Sequence, residues 1–438
     1  MVKIIDNPRY VLRSSEAREI YDTIGGDPIF DVHTHVNWKT PFAKNAWDLL
    51  RYHYFTEMAY SQGFPSELIN DPAFSNKEKV KKILGYLSGM RTTAPYWWLV
   101  ALYQKFFDFE DNFIGPENCE AMCKVVKEKS EQTDWIKKVK QKSKLERIAL
   151  TNSPWEEFDG LRSETFVPTF RVDSLLNLED GKTLHQIKKH SGSTIKSLSE
   201  FEEYISERFQ YFVNCNARSA AVSLPPNFQT AETKRAAIGR SFDDLVRLPK
   251  RVGTDKLEKI KSHIINHIAE LCEAHRMPFQ LMMGSKREVY KHGVLEGRDK
   301  SEPVSSLDGL LYLLNTYHDV NFPISVVSQT QSQELAECAR IFRNVYASGH
   351  WWYTNTEKEI ENSLAIRLEL SPHLKHVGQY SDAYTMELIW PKYDMYRRIE
   401  SNVFAEKYVQ QGKLSIEETI EIIRERDYRT PKRLMGFK

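Results

Sequence analysis

Thirteen histidines are scattered through 438 residues, and two of them, His33 and His35, stand one residue apart in "FDVHTHVNW", Phe30 to Trp38. Chance alone gives about 0.4 pairs at that spacing, so the pairing needs support from its surroundings. On an extended strand, residues i and i+2 face the same side, which would place both imidazoles on one surface at the end of a short apolar run. Two imidazoles on one face call for a third ligand, usually a carboxylate, and an open position for water or substrate. Asp382 supplies a candidate in "GQYSDAY", directly after the last apolar run of the chain. The set His33, His35 and Asp382 suits one divalent metal, zinc first, with manganese or iron as alternatives. The other reading is a histidine pair hydrogen-bonded in the core.

Further polar residues follow apolar runs in the same way. "FRVD" offers Arg171, a natural clamp for a substrate carboxylate, with Asp173 two residues on as a partner that could instead brace a loop. "MMGSKR" carries Arg287 behind Gly284, and "SGHWWYTN" carries His350, Trp351 and Trp352, which would wall a pocket or simply pack. In "YHYFTEM", His53 and Glu57 are an i, i+4 pair on a helix, and His53 with Tyr54 could present proton-transfer groups over a metal. His263 and His267, four apart in "HIINH", lack the glutamate of a helical zinc motif and lie far from a strand end.

The elements that must position these groups are eight short apolar runs: Ile29 to Val36, Arg147 to Thr151, Phe166 to Arg171, Ser219 to Leu224, Pro278 to Met283, Ile324 to Ser328, Asn344 to Ser348 and His376 to Ser381. They are continuously apolar rather than alternating, as expected of strands buried on both faces of a parallel sheet. Helical patterns such as "TDKLEKIKSHIINHIAELCEAH" separate most of them. The expected class is α/β, a (β/α)8 TIM-type barrel, whose chemistry collects at the carboxyl ends of the strands and whose first and last strands are neighbours. The gap from Asn37 to Glu146 is helical in character and too long for a barrel loop. The expected organisation is therefore a barrel from 1–36 and 147–438 with a helical insertion subdomain, 37–146. Its lysine-rich stretch from Lys124 to Lys144 is interspersed with acids and reads as a solvated helix face.

The bulk numbers narrow the partners. With 61 basic and 60 acidic residues the formal charge is +1, so no global field recruits nucleic acid or an anionic membrane, and a small molecule is the expected partner. The opening "MVKIIDNPRYVLRSS" lacks a secretory signal, and the longest apolar run, Pro95 to Tyr103, is about half a membrane span. Five cysteines without a paired cluster fit reduced thiols. A cytoplasmic enzyme, homo-oligomeric like many barrels of this size, is the expectation.

Taken in order, "FDVHTHV", "YHY", "LTNSPWEEF", "VPTFRVD", "FQLMMGSKR", "SGHWWYTN" and "VGQYSDAY" resemble the uronate isomerase (glucuronate isomerase) family, a branch of the amidohydrolase superfamily, from about residue 25 to about 410. The resemblance implies a metal-dependent barrel that interconverts D-glucuronate with D-fructuronate or D-galacturonate with D-tagaturonate. It implies His33, His35 and Asp382 as metal ligands, Arg171 as the arginine that meets the substrate, and His53–Tyr54 and Trp351–Trp352 as the HY and WW pairs. The departures are Tyr384 where the family carries an arginine, Met282 in place of a histidine, and Ser153 in place of an aspartate. In such an isomerase Asp382, His53 and Tyr54 would move or polarise protons, while Arg171, Arg287, His350, Trp351 and Trp352 would hold the sugar acid. Two other readings stay open: a metal-dependent hydrolase acting on a uronolactone, ester or amide, and a non-catalytic sugar-acid-binding protein on an enzyme scaffold.

Overall fold

In the computed structural model, which describes residues 2–161, 163–294 and 297–438, short parallel strands alternate with helices along most of the chain. The strands are β1 (Ile29–Asp31), β2 (Leu145–Ala149), β3 (Phe166–Val167), β4 (Phe170–Arg171), β5 (Ala220–Leu224), β6 (Phe279–Met283), β7 (Ser285–Lys286), β8 (Lys300–Ser301), β9 (Phe322–Val326), β10 (Val345–Ser348) and β11 (His376–Val377). One parallel sheet runs β1-β2-β3 and the other β11-β10-β9-β6-β5-β4, while β7 and β8 form a small antiparallel ribbon.

The two sheets join at a single expected run. Pro168 cannot donate to a ladder, so Phe166 to Arg171 splits, β3 pairing with β2 and β4 with β5, and an isolated bridge from Asn152 to Phe170 carries the sheet across. Counting β3 and β4 as one stave gives eight parallel staves in chain order, the α/β TIM-type architecture. Among the described residues no ladder pairs β11 with β1. Two backbone hydrogen bonds cross that seam instead, from Asp382 N–H to His33 O (3.0 Å) and from His35 N–H to Ala383 O (2.8 Å). All five residues of β6 and of β9 are buried, which is why these runs carry no polar alternation.

Both seam strands end earlier than their apolar runs suggest, at Asp31 rather than Val36 and at Val377 rather than Ser381. A side chain has taken over the backbone donors there: Asp31 Oδ1 accepts from the His33 N–H (3.3 Å) and the Ser381 N–H (3.1 Å). His33, His35 and Asp382 therefore sit in irregular segments just beyond the strand ends, tied to each other across the seam.

Between β1 and β2 lie the helices Ala46–Leu50, His53–Ser61, Asn76–Leu84, Ala94–Phe106, Cys119–Ser130 and Trp135–Ser143. Local chemistry starts several of them. Asn45 caps the first through the Trp47 and Asp48 N–H groups, Ser75 and Glu78 form a capping box, and Pro95 stands in the first turn of its helix. The helical stretch around "WDLLRYHYF" breaks at Arg51 and Tyr52, where Tyr52 adopts φ −58°, ψ 131° as the N-cap of His53–Ser61. The lysines of the last two helices pair with acids on exposed faces, as Lys124 with Glu128 and Lys138 with Asp134 do. Ala94–Phe106 is buried nearly all round and packs on Ile389–Phe404, all 16 residues of which are buried. The inserted helices share one continuous apolar cluster with Met282, Val327 and Tyr380 of the strand ends. A second cluster fills the space between β4, β5, β6, β9 and their helices.

Candidate metal centre and substrate cavity

At the seam, one ligand atom each from His33, His35 and Asp382 lie within 4.8 Å of one another. Asp382 Oδ1 is 3.1 Å from His35 Nε2 and 3.8 Å from His33 Nε2. The supporting shell fixes which nitrogens face inward. Gln280 uses its Nε2 to donate to Val32 O (3.0 Å) and Ser219 Oγ (3.1 Å), so its Oε1, 3.3 Å from His33 Nδ1, is an acceptor. Thr151 spends its one hydroxyl proton on Thr34 O (2.8 Å), so its oxygen accepts from His35 Nδ1 at 2.7 Å. Both imidazoles are thereby held with Nδ1 protonated, leaving the two Nε2 lone pairs and Asp382 Oδ1 converging on one point. Among the described residues, buried His33 Nε2 and Asp382 Oδ1 make no hydrogen bond. Three mutually facing lone pairs repel each other, and a divalent cation is the species that satisfies all three.

The electrostatics agree. Burial holds the His33 imidazole down at about 3 despite the opposing charge of Asp382, so it is neutral, as a ligand must be. Burial pushes the Asp382 carboxylate up, but the neighbouring His35, then His33 and Lys392, outweigh it and keep the group below the usual carboxylate range. Asp382 also has φ 54°, a left-handed conformation uncommon outside glycine, that its neighbours must hold in place.

His35 and Asp382 open onto a cavity of about 690 Å3 that also receives His53, Arg171, Arg287, Trp351 and Trp352. Arg171 donates twice to Asp173, Nε to Oδ2 (3.0 Å) and Nη2 to Oδ1 (3.1 Å), and its remaining Nη1 lies 3.2 Å from His35 Nε2. It thus braces its loop and points a cationic donor at the metal ligands. Arg287 is bound on both prongs, by Asp299 Oδ2 (2.6 Å) and Ser223 Oγ (2.7 Å). His53 Nδ1 lies 3.2 Å from Glu57 Oε1, which also accepts from Trp352 Nε1 at 3.2 Å, so one carboxylate orients both groups. Met282 and Tyr384 line the same cavity, the Tyr384 ring standing 5.8 Å from that of His35.

Two expected site residues are placed elsewhere. Tyr54 faces a neighbouring cavity of about 710 Å3, walled from the first by Trp352. Among the described residues its hydroxyl has no hydrogen-bond partner, and burial, then the charges of Asp382 and Glu57, push it well above the ordinary tyrosine range. His350 is buried behind the wall, bonded to Gln379 through its N–H (3.1 Å) and to Ser363 Oγ through Nε2 (2.9 Å), because Gly349, at φ 50°, turns the chain after β10. Ser153 is not part of the cavity lining. Gln280, Thr151 and Asp31 were missed, although Gln280 inside "FQLMM" and Asp31 inside "IFDV" are polar residues in apolar strands and so carried a signal.

A family model described as glucuronate isomerase matches residues 1–435. The uronate isomerase of a Thermotoga species (strain RQ2) is 23% identical over 453 residues, spanning 97% of this chain and 98% of that one. The crystal structure of uronate isomerase from Thermotoga maritima superposes with a TM-score of 0.89 at 21% identity, covering 98% of this chain and 99% of the other. That of glucuronate isomerase from Caulobacter crescentus gives 0.88 at 21% identity, covering 97% and 95%. With a match that spans the whole barrel, the insertion and all three converging ligands, the chain belongs to the glucuronate isomerase family.

Proposed function

We propose that this protein interconverts a hexuronate aldose and its ketose, D-glucuronate with D-fructuronate or D-galacturonate with D-tagaturonate. The observation that carries the reading is the guanidinium of Arg171, its Nη1 against His35 beside the three converging ligands, which sets a carboxylate-binding cation next to a candidate metal centre inside one cavity. The ion is zinc in this reading, with manganese or iron as alternatives, held by His33 Nε2, His35 Nε2 and Asp382 Oδ1. When bound, it supplies Lewis-acid polarisation of substrate oxygens.

The remaining roles fall to side chains. Arg171 clamps the sugar carboxylate, with Arg287 on the outer side of the cavity and Trp351 and Trp352 as its wall. Asp382 moves the carbon-bound proton from C2 to C1. His53, bonded through Nδ1 to Glu57, has Nε2 left for the substrate and moves the hydroxyl proton from O2 to O1. The two transfers balance: the aldose loses a proton at C2 and at O2 and gains one at C1 and at O1. Tyr54, facing the adjoining cavity, contributes packing rather than a proton path.

Incubating the metal-loaded protein with glucuronate and with galacturonate in deuterated water, followed by proton NMR, tests this reading. Ketose signals are expected from at least one sugar. Silence with both, together with cleavage of a uronolactone or amide, would assign the site to hydrolysis.

A further inference from the structure

Lys392 lies in the buried helix Ile389–Phe404 with no exposed surface. Its ammonium donates to Ser381 O at 2.6 Å and to Tyr52 Oη at 2.6 Å. Tyr52 in turn donates its hydroxyl proton to Asp382 O at 2.8 Å. The rings of Tyr52, Tyr54 and Trp98 surround the ammonium at 4.9, 4.4 and 5.0 Å from their centres. Burying an ammonium is far less favourable than burying a leucine or methionine of similar length, so packing alone does not account for it. Its charge is compensated by the aromatic faces and by Asp382 and Asp31.

The grip reaches two consecutive carbonyls, Ser381 O from Lys392 and Asp382 O from Tyr52, and Asp382 is in the left-handed conformation at φ 54°. On its other side the same segment is pinned by Asp382 N–H to His33 O and by Ser381 N–H to Asp31 Oδ1. We propose that Lys392 is a positioning residue of the metal centre. It grips Ser381 O directly and Asp382 O through Tyr52, and so holds the turn that aims the Asp382 carboxylate at His33 and His35. The chain Lys392, Tyr52, Asp382 also ties the start of the helix His53–Ser61, whose N-cap is Tyr52, to the seam. Tyr52 reaches the seam because the preceding helix stops at Leu50. This inference rests on the metal-centre reading above.

The test measures zinc affinity by competition with a chromogenic chelator, and the melting temperature of the metal-free protein, for the wild type, Y52F, K392M and the double variant. H33A serves as the control that removes a ligand. Expected losses are about 10-fold in zinc affinity for Y52F and about 100-fold for K392M. The double variant is expected to bind no more weakly than K392M, because Tyr52 transmits part of the grip of Lys392. Y52F, which deletes one oxygen, is expected to melt near the wild type without metal, and it decides the matter if K392M fails to fold. Folded Y52F and K392M that bind zinc within two-fold of the wild type would overturn the proposal, as would fully multiplicative losses in the double variant. A wild type that binds neither zinc, manganese nor iron would instead bring down the metal-centre reading itself.

Discussion

In the proposed reaction Asp382 has two duties, completing the donor set and handling the carbon-bound proton, so its substitution separates this site from an ordinary surface carboxylate. D382N keeps the volume and removes the charge. Turnover of the active uronate is expected to fall by about 10³-fold or more, with loss of bound zinc measurable by elemental analysis. R171K tests the clamp. A lysine cannot donate bidentately to Asp173 while keeping a third donor free beside His35, so KM is expected to rise about 10- to 100-fold with a smaller change in kcat in steady-state assays. His33, His35 and Asp382 as candidate ligands, and Arg171 beside them, could be picked out in the sequence because each stands where an apolar run gives way to polar residues. Lys392 could not, since a lysine ten residues past Asp382 in a helical stretch looks like any exposed lysine until the packing around it is known.

The strands reveal how much of the architecture is read from apolar runs and how much is decided by side chains. All eight expected runs became staves, yet β1 and β11 stop early because Asp31 captures the N–H groups that a ladder would have used. Such competition leaves no trace in periodicity, and the same holds for the split at Pro168, where a missing donor ends one pairing and begins another. The long gap between the first two runs is filled by helices, but the break at Tyr52 was not legible, since Arg51 and Tyr52 carry no turn signal. Neighbouring elements also set the ligand tautomers: Thr151, just past β2, orients His35, and Gln280 of β6 orients His33. T151V preserves shape and removes the acceptor. Zinc affinity is expected to drop by about 10- to 100-fold at nearly unchanged melting temperature, checked by chelator competition alongside calorimetry.

Over the whole molecule, the fold class followed from run order and helical spacing, whereas the way the insertion is fastened to the barrel depends on buried polar stitches that no pattern announces. Glu387, wholly buried in the turn Met386–Leu388, accepts from Trp135 Nε1 (3.1 Å) in the last inserted helix and from Ala43 N–H (3.3 Å) before the first. Burial pushes its carboxyl up to about 7, against the opposing hydrogen bonds of its own backbone, Trp135 and Ala43. The sign follows from proton binding. Between the ordinary glutamate value and about 7 the folded chain holds a proton that the unfolded chain has released, so this group makes stability fall as pH rises through that window, levelling off above it. At about 1.4 kcal/mol per unit, the loss from pH 4.5 to 7.5 is on the order of 3 kcal/mol. In E387Q the amide oxygen keeps both acceptor contacts with no charge to bury. Denaturant melts of wild type and E387Q across pH 5 to 8 are expected to diverge, the variant becoming the more stable at the alkaline end by about 2 to 3 kcal/mol. Parallel curves would mean that Glu387 stays ionised in the folded protein.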